Sequence, residues 1–155
     1  RPVQFTYLPD GKGGEGDYVH LQGPAPQQLE IEGSGVVVGR VGDWVGPCAF
    51  SSLASRSDWL ATDEAVGFMR AFRAARQWVN QAPAQHVANS EISYFPGVSV
   101  EALTEAIAVY QALGCWSGQV EIIPDEIAAS VEVFRLGGAI TGEIDPLFVA
   151  VRPPG

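Results

Sequence analysis

The sequence predicts an α/β fold whose later part is rich in helix. Short strand-like stretches, separated by glycine and proline, occupy the first 41 residues. Four segments of helical periodicity follow between Thr62 and Gly138, each entered through a capping residue or a proline. Helix is therefore expected to outweigh strand.

The expected strands lie in the first third of the chain. Residues 2–8 and 17–22 alternate well enough to pair as a hairpin around the glycine-rich turn at 9–16. A short helix is expected next, because prolines lead into it and Gly33 stops it. Residues 36–41, VVVGRV, are a β-branched run typical of a buried strand.

The longest helix is expected to begin after Thr62, which is a suitable N-cap. Its expected inward face shares one helical spacing: Ala65, Phe68, Met69, Phe72, Ala75 and Val79. The opposite face is expected to be solvated and carries Arg70, Arg73 and Gln77.

Three shorter helices and an extended end complete the expected elements. The helices run from Pro83 to about Asn89, from the Ser99 cap to Gly114, and from Pro124 to Gly137. Residues 147–151 are interpreted either as a closing strand or as an extended tail.

Composition excludes several classes of function. The chain has 155 residues, of which 46% are hydrophobic and 17% charged, as in a soluble globular protein. Its net charge is −9 and Lys12 is the only lysine, so no basic stripe is available for nucleic acid. No apolar run approaches the length of a membrane-spanning helix.

Motifs for catalysis, metals or cofactors are not found. The phosphate-loop, dinucleotide and nucleophile-elbow patterns are absent, and so is a Cys-x-x-Cys pair. His20 and His86 are interpreted as structural or surface residues, so no catalytic residue, metal or cofactor is predicted and the chain is expected not to be an enzyme. For Cys48 and Cys115, two buried free thiols are favoured over a disulfide, which an oxidising compartment would allow.

The order of the helical segments is more specific than any one of them. DEAVGFMRAFRAARQWVNQAPAQHVAN, YFPGVSVEALTEAIAVYQALGCW and IIPDEIAASVEVFRLGGAI follow one another along the chain. This series resembles the C-terminal portion of NMT1/THI5-like periplasmic substrate-binding proteins of ABC transporters. Members of that group bind thiamine-precursor pyrimidines or small sulfonates.

The resemblance implies a fold, a domain division and a function. The fold would be the later portion of a type II periplasmic-binding-protein fold, with residues 1–47 a partial lobe-2 segment and residues 48–155 the crossover and helical lobe-1 segment. The function would be that of a periplasmic or extracytoplasmic solute-binding component of an ABC importer. It would hold a pyrimidine, a sulfonate or a similar small molecule in an interlobe cleft, without chemistry, and its partner would be the ABC permease. The alternative is an enzyme or regulatory relative of the thiamine-pyrimidine synthesis family that has lost transport.

The resemblance also implies a ligand site around the return from lobe 2 to lobe 1. Trp44 and Phe50 would offer stacking faces there, and Ser51 and Ser52 would offer hydroxyl groups. Gln22 and Gly23 would face them from the other lobe. The alternative is that the aromatic residues belong to the core, which is the interpretation favoured for Trp59, Trp78 and Trp116.

The family members are two-lobed and considerably longer than this chain. The chain is therefore expected to be either a fragment or a stand-alone half. An unmatched apolar lobe surface predicts self-association, or a partner chain that supplies the missing half.

Overall fold

The structure is a computed structural model that describes residues 18–116, 118–145 and 150–155. All regular elements in these ranges are helical. The α-helices are α1 (Ala25–Ile31), α2 (Gly42–Val45), α3 (Asp63–Gln81), α4 (Ala84–Glu91), α5 (Val100–Ala112) and α6 (Pro124–Leu136). Short 3₁₀ helices lie at Trp59–Ala61 and Ile92–Tyr94.

The prediction of an α/β fold is wrong, because none of the residues described forms a strand. The prediction of the later portion of a type II periplasmic-binding-protein fold is wrong for the same reason, because that fold contains a sheet. The expected strand at 2–8 lies outside the described residues. Residues 18–22 and 150–151 are described and have no regular structure.

The run at 36–41 shows why the strand prediction failed. Its valines are exposed rather than buried, with Val36 at 76% and Val38 at 75% exposure. A strand is stable only when a neighbour completes its hydrogen bonds, and the described part of the chain offers none. The backbone N–H of Val37 donates to the Glu30 carboxylate instead, at 3.0 Å.

The predicted helices are confirmed, together with the residues that start them. The Thr62 hydroxyl accepts a hydrogen bond from the backbone N–H of Ala65 at 3.2 Å and so caps α3. Ser99 caps α5 in the same way, accepting from the N–H of Ala102 at 3.1 Å. Pro124 opens α6, and the turn after α1 contains Gly33 with a positive φ of 70°.

The chain divides into two compact units. The first unit comprises Arg1–Arg40 and Gln81–Gly114, and the second comprises Val41–Asn80 and Cys115–Gly155. Each unit is thus built from two separate stretches of sequence. The lobe assignment at 1–47 and 48–155 stays a prediction.

The first unit has its core where α5 packs against α4 and α1. The buried apolar side chains recur at helical spacing: Val87, Ala88, Ala102, Leu103, Ala106 and Ile107. Two hydrogen bonds attach α1 and its leading turn to α5. The Gly23 N–H donates to the Tyr110 hydroxyl at 3.0 Å, and the Ser99 N–H donates to Oε1 of Gln28 at 2.8 Å.

The second unit is built on α3, whose inward face differs from the predicted one. Ala65 and Met69 are buried as expected. Phe68 is 46% exposed and packs edge-on against Trp59, with ring centroids 5.8 Å apart. Arg73, which was expected to be solvated, is half-buried on this face. The prediction that the opposite face is solvated is therefore wrong for Arg73.

Several large apolar side chains are exposed in the structure, and self-association stays a prediction. Trp44 is 75% exposed, Tyr18 75% and Leu136 80%. Sedimentation equilibrium is expected to show a dimer or higher oligomer, because exposed apolar surface favours association. A monomer at all concentrations would contradict this prediction.

Candidate functional site

The six residues of the predicted ligand site are divided between the two units. Gln22 and Gly23 belong to the first unit, and the other four belong to the second. Gln22 is exposed, and its carbonyl oxygen accepts from the Ala25 N–H in the turn before α1. Gly23 is half-buried against α5, so its observed contacts are structural.

The four site residues of the second unit are all exposed. Trp44 lies on the single-turn helix α2 and its side chain is exposed. The alternative that Trp44 belongs to the core is therefore wrong. Phe50 is 63% exposed and stacks on Phe134, with ring centroids 6.4 Å apart and planes 7° apart. Ser51 and Ser52 lie in a segment without regular structure. Ligand binding at these residues stays a prediction.

A concave site lies elsewhere in the second unit, beside the C-terminal half of α3. It is an open cleft of about 430 Å³. We call it the arginine cleft. Its lining comes from α3 and from the segment that leads towards α6: Arg73, Arg76, Gln77, Asn80, Trp116, Gly118, Gln119, Val120 and Glu121.

Two arginines of α3 hold the facing segments in place. Nη1 of Arg73 donates to the Pro154 carbonyl oxygen at 3.2 Å, and its Nη2 donates to Oε1 of Glu121 at 3.1 Å. Nε of Arg76 donates to the Trp116 carbonyl oxygen at 3.2 Å. Nη2 of Arg76 donates to the Cys115 carbonyl oxygen at 3.4 Å. Because a guanidinium has five N–H groups, Arg73 can hold both of its partners and still present donors to a ligand.

Positive charge is concentrated at this cleft. Arg73 and Arg76 outnumber Glu121 in the lining, in a chain whose net charge is −9. A hydrogen bond from its own backbone N–H and the bond from Arg73 lower the pKa of Glu121. The charge of nearby Arg152 lowers it further. The carboxylate therefore stays ionised well below neutral pH.

Trp116 is the aromatic residue of the cleft lining. The residue is half-buried and lines the cleft beside Arg76. An indole ring offers a large apolar face and an N–H donor to a planar ligand. The interpretation of Trp116 as ordinary core missed this position.

Helical spacing was the signal that could have pointed to the cleft. Arg73 and Arg76 follow Met69 by four and seven residues, so they lie on the same stripe of α3 as the buried positions. Arginine on an inward stripe requires polar partners. No periodicity indicated which distant residues would supply them.

Within the described ranges, no three or more His, Cys, Asp or Glu side chains lie close enough together to hold a metal ion. His20 and His86 are both exposed. No helix of the described residues is both long and apolar enough to cross a membrane.

The fold and the cleft together define a helical protein of two units, the second of which carries an arginine-lined cleft. Comparison with known proteins finds no matching family model, no similar curated protein and no similar solved structure. The resemblance to periplasmic substrate-binding proteins therefore stays a prediction.

The pair of Arg73 and Glu121 predicts a contribution to acid stability. Because the folded-state pKa of Glu121 is lowered, its stabilisation is present above the ordinary value of 4.5 and is lost as pH falls through the folded-state value. We expect Glu121→Gln to lose less stability than the wild type in urea titrations between neutral pH and about pH 3. Arg73→Gln should also reduce the loss of stability between neutral pH and about pH 3, but by less than Glu121→Gln, because the backbone hydrogen bond to Glu121 remains. Arg70→Gln, on an exposed position of the same helix, should leave that loss unchanged. Identical pH profiles for all four proteins would contradict the prediction.

The two cysteines are free thiols in the structure, but the prediction that both are buried is wrong. Cys48 is half-buried and Cys115 is exposed as a residue. Partial burial of the Cys115 sulfur nevertheless raises its pKa, and the neighbouring Cys48 thiol raises it further. Less of this thiol is therefore ionised at a given pH than in an ordinary cysteine.

Thiol labelling of the native protein is expected to modify Cys115 before Cys48. The rate at Cys115 should be lower than that of a free cysteine at the same pH, because the thiolate is the reactive form. Both cysteines should react at similar rates after denaturation, as mass spectrometry of the labelled peptides would show. Labelling that appears only after reduction would show a disulfide and contradict the prediction.

Proposed function

We propose that this protein binds a small organic molecule in the arginine cleft and does not alter it chemically. The observation that supports this proposal is the grouping of two arginines, three side-chain amides and a tryptophan around one concave surface. Small-molecule sites combine an apolar or aromatic wall with a few polar groups that orient the ligand. The arginine cleft has both.

The size of the cleft suits a small ligand. Its volume of about 430 Å³ lies in the lower part of the range of 300–1,000 Å³ that is typical of ligand sites. The amide groups of Gln77 and Asn80 can both donate and accept hydrogen bonds. They lie on successive turns of α3, at the spacing that places two side chains on one side of a helix.

The titratable group of the cleft favours binding over catalysis. A general base works best when its pKa lies near the operating pH. The pKa of Glu121 is lowered, so this carboxylate is a weak base at neutral pH. The guanidinium groups of Arg73 and Arg76 carry N–H donors and no acceptor, so they can orient a ligand.

A finer form of the proposal is a solute-binding component of an ABC importer in the periplasm. Its support is the resemblance in the order of helical segments, and it has lost the support of the expected sheet. The experiment is gene context and co-purification. An adjacent permease and ATPase, with the permease retained on the immobilised protein, would support the importer role. The absence of both the adjacent genes and the retained permease would contradict it.

The binding function is tested by thermal unfolding in the presence of a panel of small organic molecules that includes anionic, cationic and neutral compounds. A ligand at 100 times its Kd adds about 2.7 kcal/mol to the unfolding free energy and raises Tm by several degrees. We expect at least one compound to raise the Tm of the wild type and to be recovered unchanged after incubation. If no compound of the panel raises Tm, or if the compound is converted to a product, the proposal is wrong.

A further inference from the structure

Arg73 is held in the cleft by two acceptors of different character. One terminal nitrogen donates to the neutral carbonyl group of Pro154, and the other donates to the carboxylate of Glu121. The bond to Glu121 is also an ion pair, with the nitrogen and oxygen 3.1 Å apart. A carboxylate is therefore the anion that this guanidinium is already positioned to bind.

One member of this ion pair lies in a helix and the other lies in an irregular segment. Arg73 is in the middle of the 19-residue helix α3, whereas Glu121 lies in a segment without regular structure before α6. The side chain of Arg73 is 31% exposed and that of Glu121 is 26% exposed, so solutes can reach both. Ion pairs with such access to water contribute only about 0–1 kcal/mol. Exchange of Glu121 for another carboxylate at Arg73 should therefore cost little.

We propose that Glu121 is an internal competitor in the arginine cleft, which takes a small aromatic carboxylate. The ligand carboxylate replaces that of Glu121 on Arg73, and the ligand ring lies against Trp116. This inference rests on the proposed binding function and adds the chemical class of the ligand. No covalent step is involved, because one carboxylate exchanges for another.

The local charge is consistent with an added anion. Two arginines, Arg73 and Arg76, and one carboxylate, Glu121, line the cleft, and Arg152 is close enough to act on Glu121. Elsewhere the acidic chain, with a net charge of −9, repels anions, so the cleft is a favourable place for one.

Isothermal titration calorimetry with benzoate and benzamide separates charge from shape, because the two probes share a ring and nearly the same outline. We expect benzoate to bind the wild type at least tenfold more tightly than benzamide. Glu121→Gln should tighten benzoate binding about two- to fivefold, because the competing ion pair is lost. Arg73→Gln should weaken it about 10- to 100-fold, as for loss of a charged hydrogen bond.

Two control variants complete the experiment. Arg70→Gln removes a charge from an exposed position of the same helix and is expected to leave both affinities unchanged. Trp116→Phe is expected to abolish the change in tryptophan fluorescence that benzoate causes in the wild type. Circular dichroism establishes that each variant keeps its helices.

Three outcomes would each overturn the inference. They are equal affinity for the two probes, no heat of binding with benzoate, and a Glu121→Gln variant that binds benzoate no more tightly than the wild type. The proposed function fails separately, when no compound of any charge raises Tm in the panel. A neutral compound that raises Tm, together with no heat of binding from benzoate, would sustain the function and contradict the carboxylate.

Discussion

Replacement of Leu103 by alanine is expected to lower the free energy of unfolding by about 2–5 kcal/mol. Leu103 keeps 3% of its exposure and lies on the buried face of α5 with Ala102, Ala106 and Ile107. Removing the branched end of this side chain leaves a cavity. The neighbouring side chains are fixed on their helices and cannot move far enough to fill it.

Leu136→Ala is the matched control, because Leu136 is 80% exposed near the end of α6. It removes the same atoms from an exposed position and is expected to change stability by about 0.5 kcal/mol or less. Urea denaturation followed by circular dichroism measures both variants. Equal losses of stability would show that α5 does not carry the core of the first unit.

Replacement of Gly23 by alanine is expected to cost about 1–3 kcal/mol, through overpacking rather than a cavity. A Cβ atom at this position would lie 3.0 Å from the Tyr110 hydroxyl oxygen and 3.3 Å from the Cβ of Ala106. The backbone N–H of Gly23 also donates to that hydroxyl at 3.0 Å, so any shift that relieves the contact weakens the bond.

Gly35→Ala is the control for this substitution, since nothing lies within 4 Å of its Cβ position. Tyr110→Phe removes the oxygen that the new Cβ meets and should itself cost about 1 kcal/mol. The double variant of Gly23 and Tyr110 is therefore expected to be more stable than the sum of the single losses, by at least about 0.5 kcal/mol. Strict additivity would contradict the close contact.

Helices were predictable here because their signals are local. Thr62 and Ser99 each cap the helix that follows, through an N–H three residues further along the chain. Residues 36–41 carried an equally local β-branched pattern, but a strand needs a partner from elsewhere in the chain. Periodicity reports a preference and does not report whether that partner exists.

The candidate site was less predictable than the helices. The sequence placed aromatic and hydroxyl residues around 44–52, and these residues are exposed in the structure. The arginine cleft depends on contacts over long sequence separations, such as Arg73 with Glu121 and with Pro154. Spacing along α3 could place Arg73 and Arg76 on the inward stripe, but it could not identify those partners.

The central claim is that ligand binds at the arginine cleft and not at the residues around Trp44. Nitrogen–proton correlation spectra of arginine and tryptophan side chains during a benzoate titration test this claim most directly. We expect the Arg73 Nε–H and Trp116 indole signals to shift and saturate together, while those of Arg70 and Trp44 stay in place. Shifts at Trp44 and at the backbone of Ser51, with Arg73 unchanged, would contradict the account.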